Sequence, residues 1–318
     1  MPATRPILVT GVTGFVGRRV AELWPHCVHW PKVDLRDREQ VESGVRRLLQ
    51  ESPFDDVLHL AGISSIWNSF DDPVLMYEVN LMGTVHLLQA LTNASWRGRF
   101  LFASSGAVYG DPDKVLVPLR EDALVAPSSP YAASKVAGEQ AVLEWGRREH
   151  GGCALVARCS NHAGPGQSSH FFLSSMAKQI AAVPRGESVV IETGNLSPYR
   201  DFLHVDDVID AYQAILDLGR SGAVYNVATG RSLPLSEILR GLSATSGRKV
   251  ETRLRSERFR AEPSRPLEIS IERLQRDTGW TATRGLEQIY SDLIHFWEAR
   301  HEEESTDHGD LGPGRRLS

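Results

Sequence analysis

The stretch ILVTGVTGFVG, residues 7–17, sets a short apolar run directly before Gly11, Gly14 and Gly17 and a helix-period segment, Phe15 to Trp24, directly behind them. A brief apolar run of this kind reads as a buried strand, and the periodic segment as a helix. Glycines between the two make a tight turn whose backbone N–H groups and helix N-terminus face outward with no Cβ in the way, which suits a pyrophosphate. A turn with a purely structural role is the bland alternative.

The same alternation continues outward. Cys27 to Trp30, Asp56 to Leu60, Phe100 to Ala103 and Ala154 to Ala157 read as further buried strands; Arg38 to Leu49, Val74 to Leu91 and Tyr131 to Arg148 read as the helices between them. Strand and helix in turn predict an α/β chain with a Rossmann-type, doubly wound parallel sheet. The second half is less regular, with helices near Phe171 to Ala182, Val205 to Leu218, Leu235 to Ser246 and Leu286 to Arg300 and strands at Ser188 to Ile191 and Ala223 to Val227. Residues 302–318 lack apolar periodicity and read as a disordered tail.

Composition narrows the partners. The 318 residues carry 35 Lys plus Arg against 40 Asp plus Glu, a net charge of -5, with mean hydropathy of -0.25. So even a balance leaves no broad basic face for nucleic acid or anionic lipid, and any anionic ligand is expected to be held by a few placed cations. Only five of the basic residues are Lys, a skew expected of a GC-rich, bacterial genome. Three cysteines without CxxC spacing point away from a disulfide framework or a zinc site and toward a reducing cytoplasm. The first residues, MPATRPILVTG, hold too short an apolar run for a signal or spanning segment.

Two constellations carry chemistry. In a dinucleotide fold a carboxylate about twenty residues past the glycines grips the adenosine ribose. Here that point falls on His29, Trp30, Pro31 and Lys32, so NADPH, or indifference between NADPH and NADH, is favoured over strict NAD use. Arg18 and Lys32 stand either as cations for a 2′-phosphate or as solvated surface charges, and Asp34 lies where a carboxylate meets the adenine amino group. The second constellation is YAASK: Tyr131 and Lys135 share one helical face. An ammonium ~4 Å from the phenol at an effective dielectric of ~20 would favour the phenolate by roughly 4 kcal/mol, making a proton shuttle of the pair. Ser105, at the end of the fourth strand in SSGAVYG, can share its hydroxyl with the carbonyl oxygen that Tyr131 protonates, or serve as a turn residue. Asn80 in EVNLMGT bonds backbone or water behind Lys135, or is structural.

With TGVTGFVG, HLAG (59–62), NLMGT, SSGAVYG, YAASK, RDFLHVDDV (200–208) and SRPLE near 265 in this order, the chain resembles the extended short-chain dehydrogenase/reductase family of NAD(P)-dependent sugar-nucleotide epimerases, dehydratases and reductases. The resemblance covers about residues 6–300. It implies Ser105, Tyr131 and Lys135 as catalytic residues, and Gly11, Gly14, Phe15, Val16, Gly17, Arg18, Asp34, Leu35, Leu60, Ala61, Gly62 and Asn80 against an NADPH or NADH cofactor. It further implies a nucleotide-binding domain, 1–160 with about 201–229, and a smaller mixed α/β substrate-binding C-terminal domain, 161–200 with 230–300. Residues 301–318 form the tail.

The family's dehydratases and decarboxylases carry a Glu two residues before the Tyr of the VYG segment. Gly106 and Ala107 stand here, which implies simple reduction or epimerisation. NHAGPGQ (161–167) and GNLSPYRDF (194–202) resemble the GDP-sugar branch, and imply reduction of the C4 ketone of GDP-4-dehydro-6-deoxy-D-mannose to GDP-D-rhamnose by a cytoplasmic homodimer. The alternative is an NDP-sugar 4-epimerase with tightly held NAD. On this resemblance Asn161 and Arg200 hold the diphosphate, Arg265 clamps its other side, Glu268 accepts from ribose hydroxyls, and Ser64, Ser65 and Asn195 belong to the substrate site. A surface bridge from Arg200 to Asp206 or Asp207 is the plainer option, and Phe171 and Phe172 suit core or lid packing. Cys159 and Ser160 stand where the family has a Pro or an aromatic residue.

Overall fold

The structure, a computed structural model, describes residues 5–64, 66, 68–111, 117–149, 151–255, 265–266 and 268–309. In chain order it begins with β1 (Ile7–Thr10), α1 (Phe15–Leu23), β2 (Val28–His29), α2 (Arg38–Glu51) and β3 (Asp56–His59). Then come α3 (Asn68–Asp71), α4 (Pro73–Tyr77), a π-helical turn (Glu78–Met82), α5 (Gly83–Asn93), β4 (Arg99–Ser105), a 3₁₀ turn (Gly106–Tyr109) and α6 (Pro130–Arg147). β5 (Cys153–Cys159), β6 (Asn161–Ala163), α7 (Phe172–Ala181), β7 (Ser188–Thr193), β8 (Tyr199–Arg200) and β9 (Phe202–His204) follow. The chain closes with α8 (Val205–Leu218), β10 (Ala223–Val227), β11 (Leu233–Pro234), α9 (Leu235–Ser246), β12 (Lys249–Leu254), α10 (Glu272–Thr278) and α11 (Leu286–Gly309).

Six strands form one sheet in the order β10-β5-β4-β3-β1-β2, every pair parallel. β1 and β3 are neighbours, and the connections leaving their carboxyl ends run in opposite directions, to β2 and to β4, which opens the crevice at which such sheets bind ligands. Period-two alternation divides the strand side chains between the faces. Val9, Leu58, Leu101 and Leu155 pack with Val20, Val208 and Ile215 on one side. Leu8, Val57, Phe100 and Val156 pack with Val41, Leu87 and Trp145 on the other. Both faces are thus covered by helices, as strands with near-continuous apolar sequences require.

Two compact units emerge. The first is Met1–His162, Arg200–Ser232 and Arg265–Thr283; the second is Ala163–Tyr199, Leu233–Ser264 and Arg284–Ser318. Residues 265–283, expected in the second unit, belong to the first. Leu119 bridges Ile269, and Leu274 and Trp280 are buried in the α1/α8 side of the core. Within the second unit β7 and β12 pair in parallel, and Trp297 on α11 donates to Ser174 on α7 at 3.2 Å.

Two departures from the expected elements have local causes. The helix over Val74 to Leu91 is broken by the π turn, whose extra residue turns Asn80 inward to 1% exposure. The tail expected from residue 301 is helical as far as Gly309, because the Glu-rich run after Arg300 continues a helix with no Gly or Pro until 309.

Candidate active site

The glycine turn is dictated by space. Gly11 has φ of +72°, and a Cβ there would lie 2.7 Å from the Ala61 nitrogen; a Cβ on Gly17 would lie 2.1 Å from the Gly11 carbonyl oxygen. Only glycine lets β1, α1 and the turn after β3 approach so closely. Gly14 is the N-cap of α1 with no side-chain cap, and the first turn holds no acid, so the leading N–H groups of Phe15, Val16 and Gly17 are left for an anion. A dinucleotide pyrophosphate fits this cradle.

Around it, the expected cofactor residues fall into place unevenly. Exposed Arg18 donates to the Thr13 carbonyl at 2.8 Å, folding its guanidinium along the turn. His29 ends β2 with its side chain exposed, and Lys32 is exposed beyond it. Asp34 is held by Arg36, whose guanidinium keeps the carboxyl below its usual range. Leu35 is buried and its carbonyl accepts from His86 at 2.9 Å. Phe15 stacks on His162, ring centroids 6.1 Å apart and 8° from parallel.

Leu60, Ala61 and Gly62 are fixed by a directional chain of hydrogen bonds. Thr84 donates to the Asn80 carbonyl (2.8 Å), so it accepts from His59 Nε2 (3.0 Å), which leaves Nδ1 to accept from Thr10 (2.7 Å). Thr10 in turn accepts from the Ala61 N–H at 3.1 Å. Burial pushes the His59 imidazole down to about 3, and the neutral form is the one this chain needs. Asn80 grips the next residues through Ile63, whose N–H and carbonyl lie 2.8 and 3.1 Å from its amide, and donates to Ser134 at 3.0 Å. These bonds pin the turn after β3.

The catalytic candidates meet at the carboxyl end of β4. The Ser105 hydroxyl lies close enough to the Tyr131 phenol to draw its proton affinity down, against burial, and accepts from the Ala107 N–H at 3.2 Å. Lys135 is 6% exposed and donates to the Ala103 carbonyl at 2.8 Å, with the Phe102 ring 4.9 Å away.

The expected phenolate is corrected here. Burial, the largest influence, pushes Tyr131 up rather than down, while burial draws Lys135 down to about 8. The ammonium is directed at a backbone carbonyl, and desolvation of the enclosed phenol outweighs it. Tyr131 is therefore a protonated acid at neutral pH.

Cys159 is buried beside these groups with its sulfur 3.2 Å from the Tyr212 hydroxyl. Burial pushes its thiol up to about 12, so it lines the site as a neutral group and not as a nucleophile. Gly106 has reason to be small, since a Cβ there would lie 3.3 Å from Ile269.

The substrate residues are distributed more widely. In the first unit Asn161 is exposed and donates to the Asp201 carbonyl at 3.3 Å; Arg200 is half-buried in β8, and Ser64, Arg265 and Glu268 are exposed. Nearby in the chain, Asp206 pairs with Arg19 at 2.8 Å and Asp207 accepts from Thr283. Asn195 lies in the second unit and caps its own turn by accepting from Ser197. Phe171 is exposed and precedes α7, while Phe172 is half-buried. Ser65 falls outside the described residues.

One supporting residue left no trace in local sequence pattern. Asp201, 4% exposed, accepts from the N–H groups of Thr229 and Gly230 and so ties the start of β9 to the loop after β10. The RDF tripeptide marks its position but not its partners, which are 28 and 29 residues away.

Comparison with known proteins gives a consistent result. The family described as GDP-mannose 4,6 dehydratase matches residues 24–293. A GDP-6-deoxy-D-mannose reductase of Pseudomonas aeruginosa is 37% identical over 305 residues, 95% of this chain and 100% of that protein. The structure of RMD from Pseudomonas aeruginosa complexed with NADPH superposes with a TM-score of 0.84 at 34% identity, covering 93% of this chain and 100% of that one. The UDP-glucose 4-epimerase of Thermus thermophilus, complexed with NAD, superposes with a TM-score of 0.75 at 28% identity, covering 92% and 98%.

Proposed function

The chain belongs to the GDP-mannose 4,6 dehydratase family, and on that premise we propose that it is an NAD(P)H-dependent sugar-nucleotide 4-ketoreductase that converts GDP-4-dehydro-6-deoxy-D-mannose to GDP-D-rhamnose. The observation that carries the reaction type is the approach of the Ser105 hydroxyl to the buried, protonated Tyr131 phenol at the end of β4. A ketone oxygen placed between them accepts from both. Gly106 and Ala107 offer no carboxylate for eliminating water, which favours reduction over dehydration.

When bound, the reduced nicotinamide supplies the hydride for C4. Tyr131 donates its proton to the C4 oxygen as charge builds there, and burial keeps that proton in place until needed. Ser105, its lone pair engaged by the Ala107 N–H, donates to the same oxygen and fixes the carbonyl's orientation. Lys135, charged below about 8, stabilises the phenolate left behind and is assigned to the nicotinamide ribose. The N-terminus of α1 would hold the pyrophosphate, with the residues of the pinned turn Leu60–Gly62 assigned to the same cofactor. Asn161, Arg200 and Arg265 are assigned to the nucleotide diphosphate, with Glu268 on its ribose and Ser64 and Asn195 toward the sugar; guanidinium forks suit phosphate oxygens.

NADP(H) is the preferred cofactor on this reading, supported by the exposed His29 and Lys32 where a ribose-binding acid would stand and by Arg18 beside the glycine turn. A cytoplasmic homodimer completes it. Among the described residues no helix is long and apolar enough to cross a membrane, and Val74, Tyr77 and Met82 expose a run of apolar surface along α4 and the π turn.

Incubation with GDP-4-dehydro-6-deoxy-D-mannose and NADPH tests the proposal: nicotinamide absorbance should fall in step with product. An unchanged absorbance overturns it. Purified protein carrying NAD and interconverting hexose epimers without net redox would instead establish the 4-epimerase. Thermal protection by GDP over UDP and dTDP checks the base.

A further inference from the structure

Helix α6 carries Tyr131, Lys135 and Glu139 four residues apart, and all three are buried. Each engages a different residue at the end of β4. Tyr131 approaches the Ser105 hydroxyl, Lys135 donates to the Ala103 carbonyl at 2.8 Å, and the Ser104 hydroxyl donates to Glu139 Oε1. The first two of these contacts belong to the reaction described above; the third does not.

Glu139 is 0% exposed and faces Arg158 of β5, 5% exposed, across 2.7 Å. The guanidinium Nε adds contacts to the same carboxylate at 3.0 and 3.2 Å. Nη1 of Arg158 reaches the Tyr109 hydroxyl and the Glu121 carbonyl, both at 3.1 Å, and Tyr109 donates to Asn226 at 2.7 Å. A buried ion pair seldom adds stability over an apolar pair of equal volume, because desolvation offsets the attraction. Its location directly under the reacting strand then calls for another role.

We propose that Glu139 is a positioning residue: by holding Ser104 it sets the register of β4 against α6 that brings Ser105 to Tyr131 and the Ala103 carbonyl to Lys135, with Arg158 as the counter-charge that allows a buried carboxylate. The inference rests on the assignment of Ser105, Tyr131 and Lys135 to ketone reduction. Around Lys135 stand Tyr131 and Glu139 from its own helix, Cys159 from β5, His59 from β3 and the Phe102 ring from β4. With Cys159 protonated and His59 neutral at pH 7, Glu139 supplies the negative charge of this group.

The test uses Ser104→Ala, which leaves the ion pair whole, and the double variant Glu139→Met/Arg158→Met, which strands neither charge. Each should lower kcat about tenfold or more with KM for NADPH within about twofold, and the triple variant should be no worse than the double. Turnover within about twofold of wild type in both overturns the inference. So does a loss of kcat matched by an equal loss of cofactor binding or a collapse of the melting transition.

A wild-type protein inactive on the ketosugar would sink the reaction assignment instead. The inference is then decided by the ¹³Cε resonance of Lys135, followed through its titration near pH 8 in protein labelled at its five lysines. The resonance moves in both variants if Glu139 positions Lys135, and an unmoved resonance in both overturns it.

Discussion

Tyr131 and Lys135 are the residues whose environment decides the chemistry, and burial acts on them in opposite directions. The phenol is pushed up and keeps its proton; the ammonium is drawn down to about 8 and is ready to lose one. Tyr131→Phe should cut kcat by roughly 10²–10⁴-fold while NADPH still binds, read from nicotinamide absorbance and fluorescence titration separately. Because Lys135 acts as a cation, turnover is full while the amine is charged and falls as pH rises through about 8. A pH–rate profile flat across that range would contradict the role. His59 gives a stability signature. It is held at about 3 in the fold against 6.5 in the open chain, so between those values the unfolded state binds the extra proton. The contribution is fully present above 6.5 and is lost as pH falls toward 3. Thermal melts of the wild type should show that acid slope, and His59→Gln should flatten it. The spacing of Tyr131 and Lys135 was legible in the chain; the sense of their titration was not, since desolvation depends on which atoms enclose them.

At the scale of elements, the glycine turn is the most completely encoded part of the molecule, because close approach of β1, α1 and the turn after β3 admits no Cβ. Gly17→Ala should weaken NADPH binding at least about tenfold, since the new methyl would overlap the Gly11 carbonyl that shapes the turn; a titration giving wild-type affinity would show that the turn tolerates it. The other first-unit strands and helices were readable for a simpler reason, the switch between continuous apolar runs and helical spacing. The π turn was not. Its sequence, EVNLM, continues the helical pattern, and the wider turn coincides with the bonds of the Asn80 amide to Ile63 and Ser134, partners from other parts of the chain. β12, KVETRL, is mostly exposed and polar and becomes a strand by pairing with β7.

For the whole molecule, an exposed apolar run along α4 and the π turn bears on association. Val74 is 64% exposed, Met82 42% and Tyr77 38%, a run that a second copy would cover. Sedimentation should give a dimer, with Val74→Arg shifting it to monomer; a monomeric wild type would remove the dimer from the proposal. The working cations are few against a net charge of -5. Cofactor and substrate affinities should therefore fall with added salt, which screens the exposed Arg18 and Arg265; affinities unchanged between low and high salt would remove these two from the anion sites.

The amino-acid sequence by itself determined the doubly wound sheet, the glycine turn and the shared helical face of Tyr131 and Lys135, because each follows from short-range periodicity, steric demand or a fixed helical spacing. Tertiary structure alone decided that burial pushes the Tyr131 phenol up, that Asp206 pairs with Arg19 187 residues away, and that Glu139 meets Ser104 and Arg158 beneath the end of β4. Those outcomes depend on burial and on partners brought together by packing, and neither is written in local order.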